Sequence, residues 1–306
     1  MLTALTQVII LYIIAVIGFI CHKTGLFTEK AARMTTDLLF YIVTPAAIIR
    51  SFVEMEFSKE NLKSLWMALF GTFLFHIIAI VLSQLAYIKS KGDNTAILKF
   101  GAVYGNVGYM GLPLSQAIIG TEGVFYSSAA IITFNIMAFT HGIIIMTKGD
   151  KDKKFDFKSL LINPGRVAIV IGLPLFIFSV KLPQIAASPL NHIANLQTPL
   201  AMLMFGTFLA TADWASIIKE KRIMLTAFIK LIALPLLTFV SLKALGFSGA
   251  LLVSCVLVAS APTATNTVLF SAKFNKNTSL ASSMTAIISL ASVITMPIMI
   301  ALAQST

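Results

Sequence analysis

The stretch of sequence that decides the fold is Gly105-Asn106-Val107-Gly108-Tyr109-Met110-Gly111-Leu112-Pro113, which lies inside a long apolar segment. Three glycines and one proline within nine residues leave a helix poorly able to continue, so the pattern predicts a break. At membrane depth the freed backbone groups need surrounding protein or a watery cavity. Amides at the start of the resumed helix then favour an anion. A kink that serves only packing is the alternative.

A second polar interruption, Ser260-Ala261-Pro262-Thr263-Ala264-Thr265-Asn266-Thr267, lies at the corresponding depth of a later apolar segment. An offset of 154 residues superimposes the two interruptions and places Thr44-Pro45 on Thr198-Pro199. Each apolar segment of the first half then overlies one of the second half, which indicates an internal repeat. Paired interruptions in corresponding segments are typical of the binding site of a secondary transporter.

The composition predicts an all-α polytopic membrane protein and excludes a large extramembrane domain. Of 306 residues, 58% are hydrophobic and 11% are charged, too few charges to cover a soluble fold. Apolar runs predict ten transmembrane helices, near residues 4–21, 34–53, 62–88, 95–119, 123–147, 159–180, 190–212, 220–243, 248–272 and 278–303. A charged linker at 148–158 separates two five-helix repeats, 1–147 and 159–306. Since five is odd, the repeats are expected to be inverted, with helices 4 and 9 broken.

The distribution of basic residues predicts the orientation. When the chain's start is placed outside, the connections and span ends expected in the cytoplasm hold 17 Lys and Arg residues, against 5 on the other side. Basic residues concentrate on the cytoplasmic side of membrane proteins. Both termini are therefore expected to be extracytoplasmic in a multi-pass protein of the cell membrane. The net charge of +11 is thus explained by the bilayer, and nucleic acid is not expected as a partner.

The side chains around the two interruptions are amides and hydroxyls, which donate hydrogen bonds to a carboxylate without burying a permanent charge. Asn106 and Asn266 are the first candidates, because an amide at bilayer depth is costly unless it serves a function. The further candidates of this kind are Ser260, Thr263, Thr265, Thr133 and Asn135. For serine and threonine, a hydrogen bond to a carbonyl of the same helix is the alternative.

Three ionisable residues within the spans are candidates for attracting the substrate or for proton coupling. Lys230 lies near the middle of the eighth span, and its alternative is a side chain that snorkels to an interface. His76 occupies the equivalent position of the first repeat, 154 residues earlier, and His141 lies in the fifth span. Ordinary hydrogen-bonded histidines are the alternative for both.

The sequence contains none of the common motifs for a hydrolase, a nucleotide-binding loop, a metal site or a cofactor. We therefore expect neither an enzyme nor a resident metal or cofactor. Acidic residues are absent beside the two interruptions, which disfavours a strong sodium site.

The two interruptions resemble the motifs of the auxin efflux carrier family, which includes bacterial malate and malonate permeases and plant auxin exporters. The stretch Asn106–Leu114 is similar to the family pattern Asn-x-Gly-aromatic-x-Gly-x-Pro, and Pro262–Asn266 is similar to its counterpart in the ninth span. The similarity covers the whole chain. The chain lacks the long central loop that plant exporters often carry, which favours a bacterial inner-membrane member and disfavours auxin as the substrate.

The resemblance implies a fold and a mechanism. Spans 1, 2, 6 and 7 would form a scaffold that also makes a homodimer, and spans 3–5 and 8–10 would form a mobile transport domain. The broken helices would cross at Asn106 and Pro262, in an architecture broadly shared with the bile-acid sodium symporters.

The function expected is transport of a small organic anion such as malate, malonate or an auxin-like acid, secondary active or facilitative, by alternating access. The substrate-binding residues expected are Asn106, Gly108, Tyr109, Asn135, Pro262, Thr263, Thr265 and Asn266, with Lys230, His76 and His141 for charge or coupling. The alternatives are a sodium-coupled symporter of the bile-acid type and a channel or receptor on the same scaffold.

Overall fold

The computed structural model describes residues 2–90, 92–147, 164–211 and 221–305 of the chain. These residues are almost entirely helical, and the predicted linker at 148–158 lies outside them. The continuous helices of the first half are α1 (Leu2–Lys23), α3 (Lys59–Ala86) and α4 (Asp93–Val103). Those of the second half are α7 (Pro164–Ile177), α8 (Gln184–Asn195), α9 (Gln197–Thr211), α11 (Gly249–Ser260), α12 (Asn266–Lys273) and α13 (Thr278–Gln304).

Four further helices contain a wider π-helical turn. They are α2 (Glu29–Leu38, π-turn Leu39–Val43, Thr44–Glu54), α5 (π-turn Val107–Gly111, Leu112–Ile118), α6 (Thr121–Met137, π-turn Ala138–Gly142, Ile143–Thr147) and α10 (Lys221–Phe228, π-turn Ile229–Ala233, Leu234–Ala244). In three of them a proline is the second residue after the turn, as Pro45, Pro113 or Pro235. Proline lacks an N–H and clashes with the carbonyl four residues earlier, so the backbone widens before it.

Several helices are long and apolar enough to cross a membrane, which makes this a polytopic membrane protein. By length and composition, five described helices qualify: Lys30–Glu54, Lys59–Ala86, Thr121–Thr147, Lys221–Ala244 and Thr278–Gln304. Three apolar helices are shorter, at Ile9–Lys23, Pro164–Ile177 and Gly249–Ser260. Large apolar side chains such as Ile13, Trp66 and Val170 are exposed, as expected where a protein surface meets lipid.

The helices pack in two sets. Helix α1 lies along α9, and α2 lies against α7 and α8. In the other set α3 packs against α6, and α11 packs against α13 and α6. The two sets also contact each other, through α2 with α6 and α1 with α13. Glycine allows the closest approach, since a Cβ on Gly18 would overlap the backbone of Leu203 and one on Gly206 would overlap the backbone of Ala15. Small residues at a helix interface let two backbones come together in a membrane.

The helices are interrupted in both stretches where the sequence predicts a break, with one correction to the position of the first. Helix α4 ends at Val103 and α5 begins at Val107, so the break precedes most of the glycine-rich stretch. Gly108 lies in the π-turn of α5. Pro113 occupies an early position of the α-helical part, where no N–H is needed. In the second half the chain leaves the helix between Ser260 and Asn266.

The boundaries of the seventh span also differ from the prediction of 190–212. Its first helix, α8, begins at Gln184 and is separated from α9 by Leu196 alone. Pro183 stands immediately before α8, in an extended conformation that suits the residue preceding a helix.

Candidate functional site

The two helix breaks meet and pair with each other. Gly105 and Thr263 form an antiparallel bridge between the broken segments. The amide of Asn106 donates to the carbonyl of Pro262 at 2.7 Å, and the amide of Ala264 donates to the carbonyl of Tyr104 at 2.9 Å. Backbone groups that the helices leave unpaired are thereby satisfied inside the protein, as a membrane interior requires. We call residues 104–106 and 261–264 the crossing.

The crossing is so closely packed that a side chain at Gly105 would press against its neighbours. A Cβ on Gly105 would lie 2.9 Å from Nζ of Lys230 and 3.1 Å from the carbonyl oxygen of Ala261. The hydroxyl of Thr263 donates to the carbonyl of Gly101 at 2.9 Å and ties the second segment to the end of α4. Thr263 and Pro262 are both buried. Their side chains therefore hold the two segments together.

A cavity of about 70 Å³ lies beside the crossing, where α5 and α12 begin. One water molecule needs roughly 10–15 Å³ of such volume, so the cavity has room for several waters or one small solute. The residues around it are Phe40, Thr44, Gly105, Asn106, Val107, Gly108, Tyr109, Ile131, Phe134, Asn135, Gly165, Ala264 and Asn266. All of these are uncharged.

The structure brings five of the predicted site residues to this cavity: Asn106, Gly108, Tyr109, Asn135 and Asn266. The side-chain oxygen of Asn106 accepts a hydrogen bond from the amide of Tyr109 at 3.2 Å and so caps the start of α5. The side-chain amide nitrogen of Asn106 makes no hydrogen bond within the described residues, which leaves two N–H donors for a solute. Asn135 is buried and donates to the carbonyl of Ile131 at 2.7 Å.

The other predicted side chains lie outside the cavity wall. Pro262 and Thr263 belong to the crossing, and Thr265 is half-buried after it. The hydroxyls of Ser260 and Thr133 donate to carbonyls of their own helices, at Val256 and Ala130, which is the alternative weighed for them above.

Lys230 is fully buried against the crossing, so the snorkelling alternative is wrong. Its side chain is completely inaccessible, and Nζ lies 3.4 Å from the carbonyl oxygen of Ala259. The π-turn of α10 carries this residue. The same ammonium would contact any Cβ added at Gly105. An amine thus lies behind the paired backbones, while the cavity lies beside them.

The two histidines flank Tyr104, the first residue of the crossing. Nδ1 of His76 donates to the carbonyl of Thr72 at 2.7 Å, and its ring lies 6.1 Å from the ring of Tyr104. The Tyr104 hydroxyl donates to the carbonyl of Met137 at 2.7 Å, so Nδ1 of His141 donates to that hydroxyl at 3.0 Å. Nε2 of both histidines is buried without a hydrogen-bond partner in the described part of the chain.

Sequence reasoning missed three residues of this region. Thr44 and Phe40 line the cavity from α2. Of the two, only Thr44 entered the prediction, as part of the Thr44-Pro45 pair that marks the repeat. A hydroxyl directly before a proline in an apolar span was the available signal. Tyr104 gave no signal, because a tyrosine within an apolar segment is ordinary and only its contacts with the histidines distinguish it.

Within the residues that the structure describes, no three His, Cys, Asp or Glu side chains are placed to hold a metal ion. What the arrangement offers is a small neutral cavity with amide donors, next to two helix starts. Such groups bind a carboxylate by hydrogen bonds and by the partial positive charge of the helix ends.

Comparison with known proteins shows which family the chain belongs to. The sequence profile of a family described as a membrane transport protein matches residues 3–300. The chain is 24% identical to the uncharacterized transporter MJ1031 of Methanocaldococcus jannaschii over 211 residues, which are 66% of this chain and 68% of that protein. It is 24% identical to the uncharacterized transporter YfdV of Escherichia coli K12 over 301 residues, 94% of each protein.

Proposed function

Because the chain belongs to the auxin efflux carrier-like family of membrane transport proteins, we propose that it carries a small organic anion across the cell membrane by alternating access. The observation that supports this most is the cavity at the crossing. It places the side chains of Asn106 and Asn266 at the starts of α5 and α12, and it lies where two broken segments meet. Sites of this construction bind carboxylates in secondary transporters.

The dimensions of the cavity favour a short acid over a large aromatic one. About 70 Å³ holds on the order of five water molecules at roughly 10–15 Å³ each. A three- or four-carbon dicarboxylate such as malonate or malate suits this space better than an indole acid. We therefore place the dicarboxylates first among the substrates to be tested.

Each residue of the site is proposed to have a distinct task. Asn106 and Asn266 bind the carboxylate, and Asn135, Gly108 and Tyr109 shape the wall beside it. Pro262, Thr263 and Thr265 position the second segment at the crossing, which keeps Asn266 at the cavity.

The buried cationic and titratable groups around the crossing are proposed to attract the anion or to couple its movement to protons. Lys230 places an ammonium against Gly105, and His76 and His141 each present a buried Nε2 without a partner among the described residues.

We further propose ten transmembrane helices in two inverted repeats, 1–147 and 159–306, joined by a cytoplasmic linker at 148–158. The antiparallel pairing of Gly105 with Thr263 supports this arrangement. Segments at equivalent positions of inverted repeats enter the membrane from opposite sides, so they run antiparallel where they meet.

The packing supports a division into two moving parts. Helices α1, α2, α7, α8 and α9 would form the scaffold, and the remaining helices would form the transport domain. The contacts of α1 with α9 and of α2 with α7 lie within the first part, and those of α3 with α6 and of α11 with α13 lie within the second. A homodimer through the scaffold is part of the same proposal.

The test is counterflow in proteoliposomes that contain the purified protein. Vesicles loaded with unlabelled malonate should accumulate labelled malonate transiently and saturably, and so should a malate pair. Vesicles containing Asn106→Ala protein are the matched control. Fluxes that do not saturate would indicate a channel, a dependence on sodium over choline would indicate a sodium symporter, and the absence of flux for every acid in a panel would contradict the proposal.

The proposed orientation is tested by cysteine labelling in a background without Cys21 and Cys255. Thr3→Cys and Ser305→Cys should both react with an impermeant thiol reagent added to intact cells. Lys151→Cys should react only after the membrane is opened, because 17 of the basic residues are expected on that side. Labelling of one terminus alone would contradict the ten-helix topology.

A further inference from the structure

A second buried cation, Arg50, lies in the C-terminal half of α2 away from the crossing. Its side chain is 6% exposed. One terminal nitrogen donates to the side-chain oxygen of Asn195 on α8 at 2.6 Å, and the other donates to that of Gln116 on α5 at 2.7 Å. Both distances are short, as expected of hydrogen bonds from a charged donor.

The charge of Arg50 is not neutralised by its partners. A guanidinium stays protonated in proteins, and both of its acceptors are neutral amides. No acidic side chain pairs with it in the described parts of the chain, and its Nε is buried without any hydrogen-bond partner. A buried charge without a counter-ion is expensive, so its position calls for an explanation beyond packing.

Arg50 stands close to the cavity along α5. Gln116 follows Tyr109 by seven residues, so it lies about 10 Å further along α5 at roughly 1.5 Å per residue. Thr44, six residues before Arg50 on α2, also lines the cavity. Tyr109 lines the cavity. At about 10 Å and an effective dielectric near 20, a unit positive charge favours a monoanion by more than about tenfold. It disfavours a cation by the same factor.

We propose that Arg50 is a selectivity residue whose uncompensated charge makes the neutral-walled cavity prefer carboxylates. Asn195 and Gln116 hold the guanidinium near the cavity without cancelling its charge, which an acidic partner would do. In the proposed orientation this end of α2 faces the outside, so Arg50 also draws anions toward the cavity from that side. The inference rests on the proposed function and assigns a source for its anion specificity.

Two variants that neutralise the charge in opposite ways test the assignment. Arg50→Gln removes the cation and its two charged hydrogen bonds to the amides of Asn195 and Gln116, so the melting temperature should fall. Gln116→Glu changes the shape very little and creates an ion pair with Arg50, so the melting temperature should rise. Both should raise the Kd for malonate by about tenfold, measured by ligand-induced thermal stabilisation over a concentration series.

Two further variants serve as controls. Arg50→Lys keeps the charge and should keep the malonate affinity within about threefold, since the charge at about 10 Å is nearly unchanged. Gln84→Glu makes the same substitution beside Lys99, with which Gln84 is hydrogen-bonded on an exposed surface. It should leave the affinity unchanged.

A purely structural role for Arg50 predicts a different pattern, in which Gln116→Glu stabilises the protein and binds malonate normally. That result would overturn this inference while leaving the proposed function intact. A wild-type protein that binds no carboxylate would overturn both. If Arg50→Gln fails to fold, the Gln116→Glu protein alone decides the outcome.

Discussion

The crossing and the cavity wall are adjacent, yet their polar groups are used in opposite ways. In the crossing, Thr263 donates to Gly101, and the backbones of Asn106 and Tyr104 pair with the opposite segment. In the cavity wall, Asn106 uses only its side-chain oxygen internally and keeps its N–H donors. The polar groups of the crossing are thus paired within the protein, and we also call the crossing the brace. The cavity wall keeps side-chain N–H donors for a solute.

This difference predicts two classes of variant. Substitutions in the brace should lower thermal stability, because they unpair or crowd groups that pair with each other. Removing the side-chain N–H donors of the two asparagines in the wall, Asn106 and Asn266, should lower affinity more than it lowers stability. The predictions below separate the two classes.

The largest effect is expected for Gly105→Val, which places a branched side chain against Lys230 and the carbonyl of Ala261. Overpacking of this kind costs about 1–3 kcal/mol, occasionally more, so the melting temperature should fall sharply. Gly108→Ala is the matched control, since a Cβ there meets no atom within 4 Å. Equal stability of the two variants would mean that the crossing is not a tight brace.

A smaller effect on stability and a clear effect on transport are expected for Lys230→Gln. The amide is cheaper to bury than the ammonium, so the protein should remain folded, while initial malonate uptake should fall roughly tenfold. The control is Lys243→Gln at an exposed position of the same helix. Unchanged uptake between pH 5 and pH 8 would remove Lys230 from the transport cycle.

The smallest effect is expected for Thr263→Val, which has the same shape but lacks the hydrogen bond to Gly101. Loss of one buried hydrogen bond should cost on the order of 1 kcal/mol of stability. Thr295→Val removes a hydroxyl that bonds only within its own helix, to Ala291, and should cost less. A Thr263→Val protein of wild-type stability but weaker malonate binding would place Thr263 in the site instead of the brace.

The sequence was sufficient to locate the two breaks and to rank the asparagines. Glycine and proline content predicted where the helices would be interrupted, and the repeat superimposed the two interruptions that contain Asn106 and Asn266. It did not show that the break begins at Tyr104, because helix α5 absorbs Gly108 in a π-turn. That accommodation depends on how the wider turn packs, which the residue types alone do not specify.

The division of labour within the second interruption was also beyond the sequence. Thr263 and Thr265 are chemically identical, and only the antiparallel pairing assigns Thr263 to the brace. Similarly, a lysine within an apolar span suits both snorkelling and burial, and the choice depends on which neighbouring backbone lies within its reach. Arg50 was counted with the basic residues near a connection, although its side chain is buried between α2, α5 and α8.

The central claim is that the cavity wall holds the carboxylate through Asn106 and Asn266, and measuring Kd and melting temperature on the same purified variants tests it directly. Asn106→Ala and Asn266→Ala should each weaken malonate binding by about fivefold to 150-fold, equivalent to roughly 1–3 kcal/mol for one lost donor. Their combined effect should be less than additive, because they share one ligand. The melting temperature of Asn266→Ala without ligand should stay close to that of the wild type, whereas Asn106→Ala also loses the cap of α5 and should lose about 0.5–2 kcal/mol of stability. Normal affinity in both single variants, with a lowered melting temperature in the absence of malonate, would contradict the account and assign the two asparagines to packing.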